Sequence, residues 1–150
     1  MATFKKILVP TDFSPCSAAA QTMAEELART TGAELILLNV VDDTSRLMGD
    51  MTGYVSAQEL AQAEEVAKER IAQCAAQARC AGLSVTGKVV HGVADRAITD
   101  SASTSEADLI VMGSHGFRGF RHLILGSVAE RVVRTSCVPV MVVRDAPSKA

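Results

Sequence analysis

Read for polarity alone, the chain alternates between short apolar runs and longer stretches in which apolar residues return every three or four positions. KKILVP (5–10), ELILLNVV (34–41), SVTGKVVHG (84–92), DLIVMG (108–113) and VPVMVV (138–143) are the short runs, and each reads as a strand. Between them, SPCSAAAQTMAEELARTTG (14–32) predicts a helix with Ser14 as N-cap, Pro15 in its first turn and Gly32 past its end. SAQELAQAEEVAKERIAQCAAQARCAG (56–82) predicts the longest helix, opened by a Ser56–Glu59 capping box and ended at Gly82. Its inward stripe is Leu60, Ala63, Ala67, Ile71, Cys74 and Ala78. A short helix near 94–105 and another from Ser127 to Thr135 complete the alternation. Nearly continuous apolar strands alternating with helices predict an α/β domain: a doubly wound parallel sheet with helices on both faces. Residues 42–55 form the one long irregular segment, a lid or a loose insertion at a strand's carboxyl end.

Composition narrows this picture without redirecting it. A chain of 150 residues with 48% hydrophobic and 21% charged residues suits one soluble domain, 1–150, with a proper core. A net charge of −2, one Tyr, four Phe and no Trp offer neither attraction to nucleic acid nor a base-stacking surface. No run approaches the ~18 apolar residues a membrane span needs, so no membrane partner is expected. The opening MATFKKILVPTDFS lacks the long apolar run of a secretory leader, and the expected location is cytoplasmic. Cys16, Cys74, Cys80 and Cys137 show no CxxC spacing; all four are expected as buried or half-buried small hydrophobes, with no metal site.

Candidate chemistry gathers at two strand ends. In open parallel sheets ligands sit beyond the carboxyl ends of the strands, where the winding reverses. The first strand runs into Pro10-Thr11-Asp12, and the fourth, through Met112, into Gly113-Ser114-His115-Gly116. If these strands are neighbours, both loops line one crevice. Glycines there let backbone amides approach an anion closely, and Gly126-Ser127-Val128 presents further amides at a helix start. From Gly113 to Ser136 four arginines, 118, 121, 131 and 134, face one acid, Glu130. Asp12 is the one carboxylate expected in the crevice. Each residue also has a plainer role: Ser127 with Glu130 has capping-box spacing, Asp12 suits a turn, Met112 suits the core, and His91, His115 and His122 suit packing or solvent. The combination favours phosphate binding. GxxxxGK[ST], GxGxxG after the first strand, HExxH and GxSxG are all absent, so the loop is of another kind.

Over nearly its whole length the sequence resembles the universal stress protein family. Its nucleotide-binding members carry G-x-x-G, nine residues, then G-[S/T]; Gly113, Gly116, Gly126 and Ser127 fit that pattern with 117–125 between. ILVPTDFS (7–14) and CVPVMVVR (137–144) resemble the family's opening and closing segments. The resemblance implies a five-stranded sheet in the order 3-2-1-4-5. It implies an adenine nucleotide in the crevice, ATP, AMP and a cyclic nucleotide alike, with Mg²⁺ as an optional companion. Asp12 would then meet the nucleoside, Pro10, Thr11 and Val41 would flank base and ribose, and Met112 and Gly113 would line the floor. Gly116, Gly126, Ser127 and the Val128 amide would hold phosphates, with Arg118 beside them.

The last strand is apolar and carries Pro139, which suits a sheet edge. The resemblance implies a homodimer through Val138, Val140, Met141 and Val142. No acid or base is placed to activate water, so a stress or regulatory protein working through nucleotide-dependent conformation and an unidentified protein partner is the leading function, with hydrolysis slow at most. An ATP-using phosphoryl- or nucleotidyl-transfer enzyme and a nucleotide-free dimeric interaction module are the alternatives.

Overall fold

In the computed structural model, which describes residues 3–43, 56–116 and 124–145, the elements follow the polarity pattern. Strand β1 (Lys6–Pro10) leads into helix α1 (Pro15–Thr31), then β2 (Glu34–Asp42), α2 (Ala57–Cys80) and β3 (Val85–Gly92). α3 (Ala94–Thr104), β4 (Leu109–Gly113), α4 (Ser127–Thr135) and β5 (Val140–Val143) complete the chain. The five strands form one sheet in the order β3-β2-β1-β4-β5, every pair parallel. β1 is central: Ile7 stands level with Leu35 of β2 on one side and Leu109 of β4 on the other. The order of strands reverses across β1 and β4, which opens a crevice at their carboxyl ends.

Alternation along each strand divides the core in two. Ile7, Val9, Leu35, Leu37, Leu109 and Val111 face α1 and α2, and Leu8, Ile36, Leu38, Ile110 and Met112 face α3 and α4. Both sets are nearly free of water, which is why these strands read as unbroken apolar runs. Ala20, Ala24 and Ala28 give α1 a flat inner face. Their small side chains let the helix lie close on the sheet.

Local signals hold the helix ends in place. Ser14 accepts from the Ser17 amide, and Ser56 and Glu59 form the full reciprocal capping box. The other expected box does not form. Gly126 is the N-cap of α4, so Ser127 is its first helical residue, and Glu130 pairs with Arg134 instead. In α2 the inner stripe passes through Ala75, and Ala63 lies exposed, because 3.6-residue geometry drifts off any fixed spacing. Two thiols also depart from expectation: Cys80 and Cys137 are exposed, while Cys16 is buried and Cys74 half-buried. Cys80 ends α2 and Cys137 lies in the connection between α4 and β5. No helix of the described residues is long and apolar enough to cross a membrane.

Candidate functional site

A crevice of about 450 Å³ opens beyond β1, β2 and β4 on the side covered by α3 and α4. That size lies within the range of about 300–1,000 Å³ common to small-molecule sites. Leu38, Val40, Ile98 and Met112 make an apolar wall, while Asp12, Asp42, Ser114, His115, Gly116 and Ser127 bring polar groups to its rim.

The β1 end is built to hold Asp12 in one orientation. The Thr11 amide donates to the Leu38 carbonyl at 2.8 Å, and the Asn39 side chain donates to the Thr11 carbonyl at 2.9 Å. The Asp12 Oδ1 accepts from the Ser14 amide at 3.0 Å and from the Ser17 hydroxyl at 2.7 Å. Phe13 makes this turn with φ of 65°, a left-handed conformation that costs a bulky residue about 1–3 kcal/mol. Its ring packs against the α1–α2 core, and the Arg70 guanidinium stacks on it at 4.1 Å. The carboxylate is thus fixed before any ligand arrives.

The glycines of the second loop lie close against the protein's own packing. A Cβ on Gly113 would stand 3.0 Å from the carbonyl carbon, oxygen and Sγ of Cys16, so the strand end touches the α1 backbone. A Cβ on Gly116 would run into Asp12 Oδ2, and one on Gly126 would meet the Ser114 carbonyl at 3.1 Å. The Gly126 amide is itself engaged, donating to that carbonyl at 2.7 Å. These contacts draw the carboxylate, the loop and the helix start together around one small space.

Helix α4 faces that space with its amino terminus. Its N-cap is Gly126, which has no side chain to cap it. The first-turn amides of Ser127, Val128 and Ala129 have no intrahelical acceptor, and these residues line the crevice. Uncapped amides and the positive end of the helix dipole together favour an anion. Behind the loop, buried Ser114 hydrogen-bonds His115 Nδ1 at 3.0 Å and lies 3.5 Å from Cys16 Sγ, which donates to the Val143 carbonyl at 3.5 Å.

Most of the expected residues meet here: Pro10, Thr11, Asp12, Met112, Gly113, Gly116, Gly126, Ser127 and Val128 all line the crevice. Val41 does not. It is buried against Leu60 and Ala67, on the opposite face of the sheet, where it lines a separate groove with Phe13 and Arg70. Strand parity is the cause: Val40 takes the crevice side that Val41 was expected to hold. Asp12 is also not the only carboxylate present, since Asp42 at the end of β2 lines the same rim. Arg118 lies outside the described residues, as do Arg121, His122 and the 44–55 segment. Among the described residues no group of three or more His, Cys, Asp or Glu side chains is arranged to hold a metal ion.

Fold and crevice together define a doubly wound α/β protein with a crevice at its switch point. The sequence profile of the universal stress protein family matches residues 3–144, and the chain belongs to that family. The universal stress protein MJ0531 of Methanocaldococcus jannaschii is 34% identical over 94% of this chain and 82% of its own. MJ0577 of the same organism is 31% identical over 94% of this chain and 95% of its own. Its solved structure superposes with a TM-score of 0.82, covering 98% of this chain and all of that one. UspA from Lactobacillus plantarum gives a TM-score of 0.81 at 29% identity, covering 96% of this chain and 100% of its own.

Proposed function

We propose that the crevice binds an adenine nucleotide, ATP foremost, and that the chain belongs to the nucleotide-binding subgroup of its family. The observation that carries this reading is the uncapped start of α4 facing a polar rim and an apolar wall within one crevice of about 450 Å³. The Ser127 and Val128 amides receive phosphate oxygens, with Gly116 and Gly126 keeping the approach open. Asp12 accepts from ribose hydroxyls at the other end, where Leu38, Val40 and Met112 offer an apolar surface to the base. A Mg²⁺ ion on the phosphates would keep most of its waters and use Asp12 or Asp42 at most. A universal stress protein of this fold has been solved in complex with cAMP; at 23% identity that likeness is one of fold, so the ligand here is argued from the crevice itself.

The protein acts in the cytoplasm as a regulator whose conformation follows its nucleotide, with hydrolysis slow at most, through an unidentified protein partner. β5 supports a homodimer: it is an edge strand of the sheet, and Val138, Val140, Met141 and Val142 are all left half-buried on it or just before it.

The test is to denature protein purified without added nucleotide and identify what it releases by chromatography and mass spectrometry. An adenine nucleotide near one per chain is expected. After stripping, ATP at a hundred times its dissociation constant should stabilise by about 2.7 kcal/mol, or roughly 5–11 °C in Tm for a domain of this size. No released nucleotide and no shift with millimolar ATP would overturn the reading and favour the nucleotide-free interaction module.

A further inference from the structure

We propose that His115 is a ligand-binding residue, its Nε2–H donating to a phosphate oxygen seated at the start of α4. The proposal rests on the nucleotide reading above and deepens it. It assigns to an imidazole, which by sequence suits packing or solvent, a side-chain contact beside the backbone amides that hold the phosphates.

Nε2 of His115 is buried and has no hydrogen-bond partner among the described residues. A buried polar atom without a partner is a cost that native proteins seldom leave uncorrected. The residue lines the crevice, so the missing partner has a place to come from. Direction follows from the ring's packing: Cδ2, bonded to Nε2, is 3.6 Å from where a Cβ on Gly126 would stand. The Cδ2 side of the imidazole therefore packs against Gly126, the N-cap of α4, next in sequence to Ser127.

The bond at the other ring nitrogen decides whether Nε2 carries a proton. Cys16 has one proton and gives it to the Val143 carbonyl at 3.5 Å. Ser114 also has one, with His115 Nδ1 at 3.0 Å and Cys16 Sγ at 3.5 Å as its possible acceptors. The proposal takes the arrangement in which the hydroxyl donates to Nδ1, which keeps the proton of the neutral imidazole on Nε2; the reverse arrangement, with Nδ1–H donating to Ser114 Oγ, would leave Nε2 an acceptor. With its proton on Nε2, His115 is a donor, and a donor matches an anionic oxygen. Both members are held, since Ser114 is 2% exposed and the glycine contacts fix the loop on either side.

ADP is the probe, titrated calorimetrically into the stripped full chain and into His115→Phe and His115→Gln. Phenylalanine keeps the ring and removes both nitrogens; glutamine restores a donor near the Nε2 position. Expected is an affinity at least tenfold weaker for His115→Phe, the loss of one hydrogen bond to a charged group, with a ligand-free Tm unchanged or raised. His115→Gln should recover most of the affinity. Unaltered ADP affinity in His115→Phe overturns the proposal and leaves the nucleotide reading standing. Absence of ADP binding by the wild-type chain overturns both. Weaker binding that tracks a fall in ligand-free Tm, unrecovered by glutamine, assigns His115 to packing and also overturns it. Imidazole ¹H–¹⁵N spectra of the wild-type chain give a readout independent of the variants: the free protein should show the Nε2–H tautomer, and Nε2 should shift on adding ADP. An Nδ1–H tautomer, or a resonance that ADP leaves in place, speaks against the assignment.

Discussion

Replacing Gly113 by alanine distinguishes a glycine kept for the scaffold from one kept for a ligand. The added methyl would lie 3.0 Å from three Cys16 atoms, two of them backbone. Carbon contacts settle at about 3.5–4.0 Å, so roughly half an ångström or more must be found. The helix cannot readily supply it, because Cys16 Sγ is tied to the Val143 carbonyl and the Ser114 hydroxyl. Overpacking of this kind costs about 1–3 kcal/mol. Against it, alanine restricts the unfolded chain and returns about 0.4–1 kcal/mol, since Gly113 is not among the glycines with positive φ. The net expectation is a loss of about 1–2 kcal/mol, or roughly 2–8 °C in Tm. Scanning calorimetry of the stripped protein reads it directly, with Ser127→Ala as the contrasting variant. Ser127 is exposed and caps nothing, so its ligand-free stability should stay within about 0.5 kcal/mol of wild type, with its backbone amide still in place for the phosphate. Should Gly113→Ala melt with the wild type and yet lose its ligand, the steric reasoning is wrong and the glycine serves the phosphate.

Further perturbations test other parts of the structure. Val41→Ala should cost roughly 1–2 kcal/mol of stability in urea titration while ADP binding is unchanged, whereas Val40→Glu should place a carboxylate on the crevice wall and weaken binding; equal effects on binding would contradict the assigned strand parity. Ser14→Ala removes the α1 cap and should cost about 1 kcal/mol in the same titration. Hydrogen bonds from the Ser56 backbone amide and hydroxyl hold the Glu59 carboxyl below its ordinary value of 4.5. The folded chain therefore binds fewer protons there than the unfolded chain. The resulting stability is complete above pH 4.5 and lost as pH falls through the lower folded value. The Tm gap between wild type and Glu59→Gln should accordingly shrink on acidification below that point, and a constant gap would remove the carboxylate from the account. Met141→Lys should convert a dimer to monomer in analytical ultracentrifugation, and an unchanged dimer would move the interface away from β5.

The element order was legible because each signal was local. Ser14 before Pro15, and Ser56 three before Glu59, mark helix starts by chemistry that needs no tertiary context. The two loops of the crevice were legible for the same reason, once strands one and four were taken as neighbours. The phase of β2 was not. Leu35 to Leu38 are buried on both faces, so the run shows no alternation from which to tell Val40 from Val41. The place of Asp42 depends on where β2 ends beside β1, a register that pairing decides and polarity does not. Ser127 and Glu130 have capping-box spacing, yet Gly126 takes the cap position because its amide is held by the Ser114 carbonyl. That bond joins two segments across a loop, which no window along the sequence contains.

The three glycine contacts also bear on descent. Gly113, Gly116 and Gly126 each answer to a neighbour within the chain: a helix backbone, a carboxylate and a carbonyl. Packing within the chain therefore favours glycine at these positions with or without a ligand. A lineage could let Leu38 or Ile98 grow into the space between them, abandon the ligand, and still carry the signature intact. Another could change its ligand by altering the apolar wall while the glycines stayed as they are. The spacing marks inheritance of a shape, and the wall and the polar groups around it record what that shape has been used for.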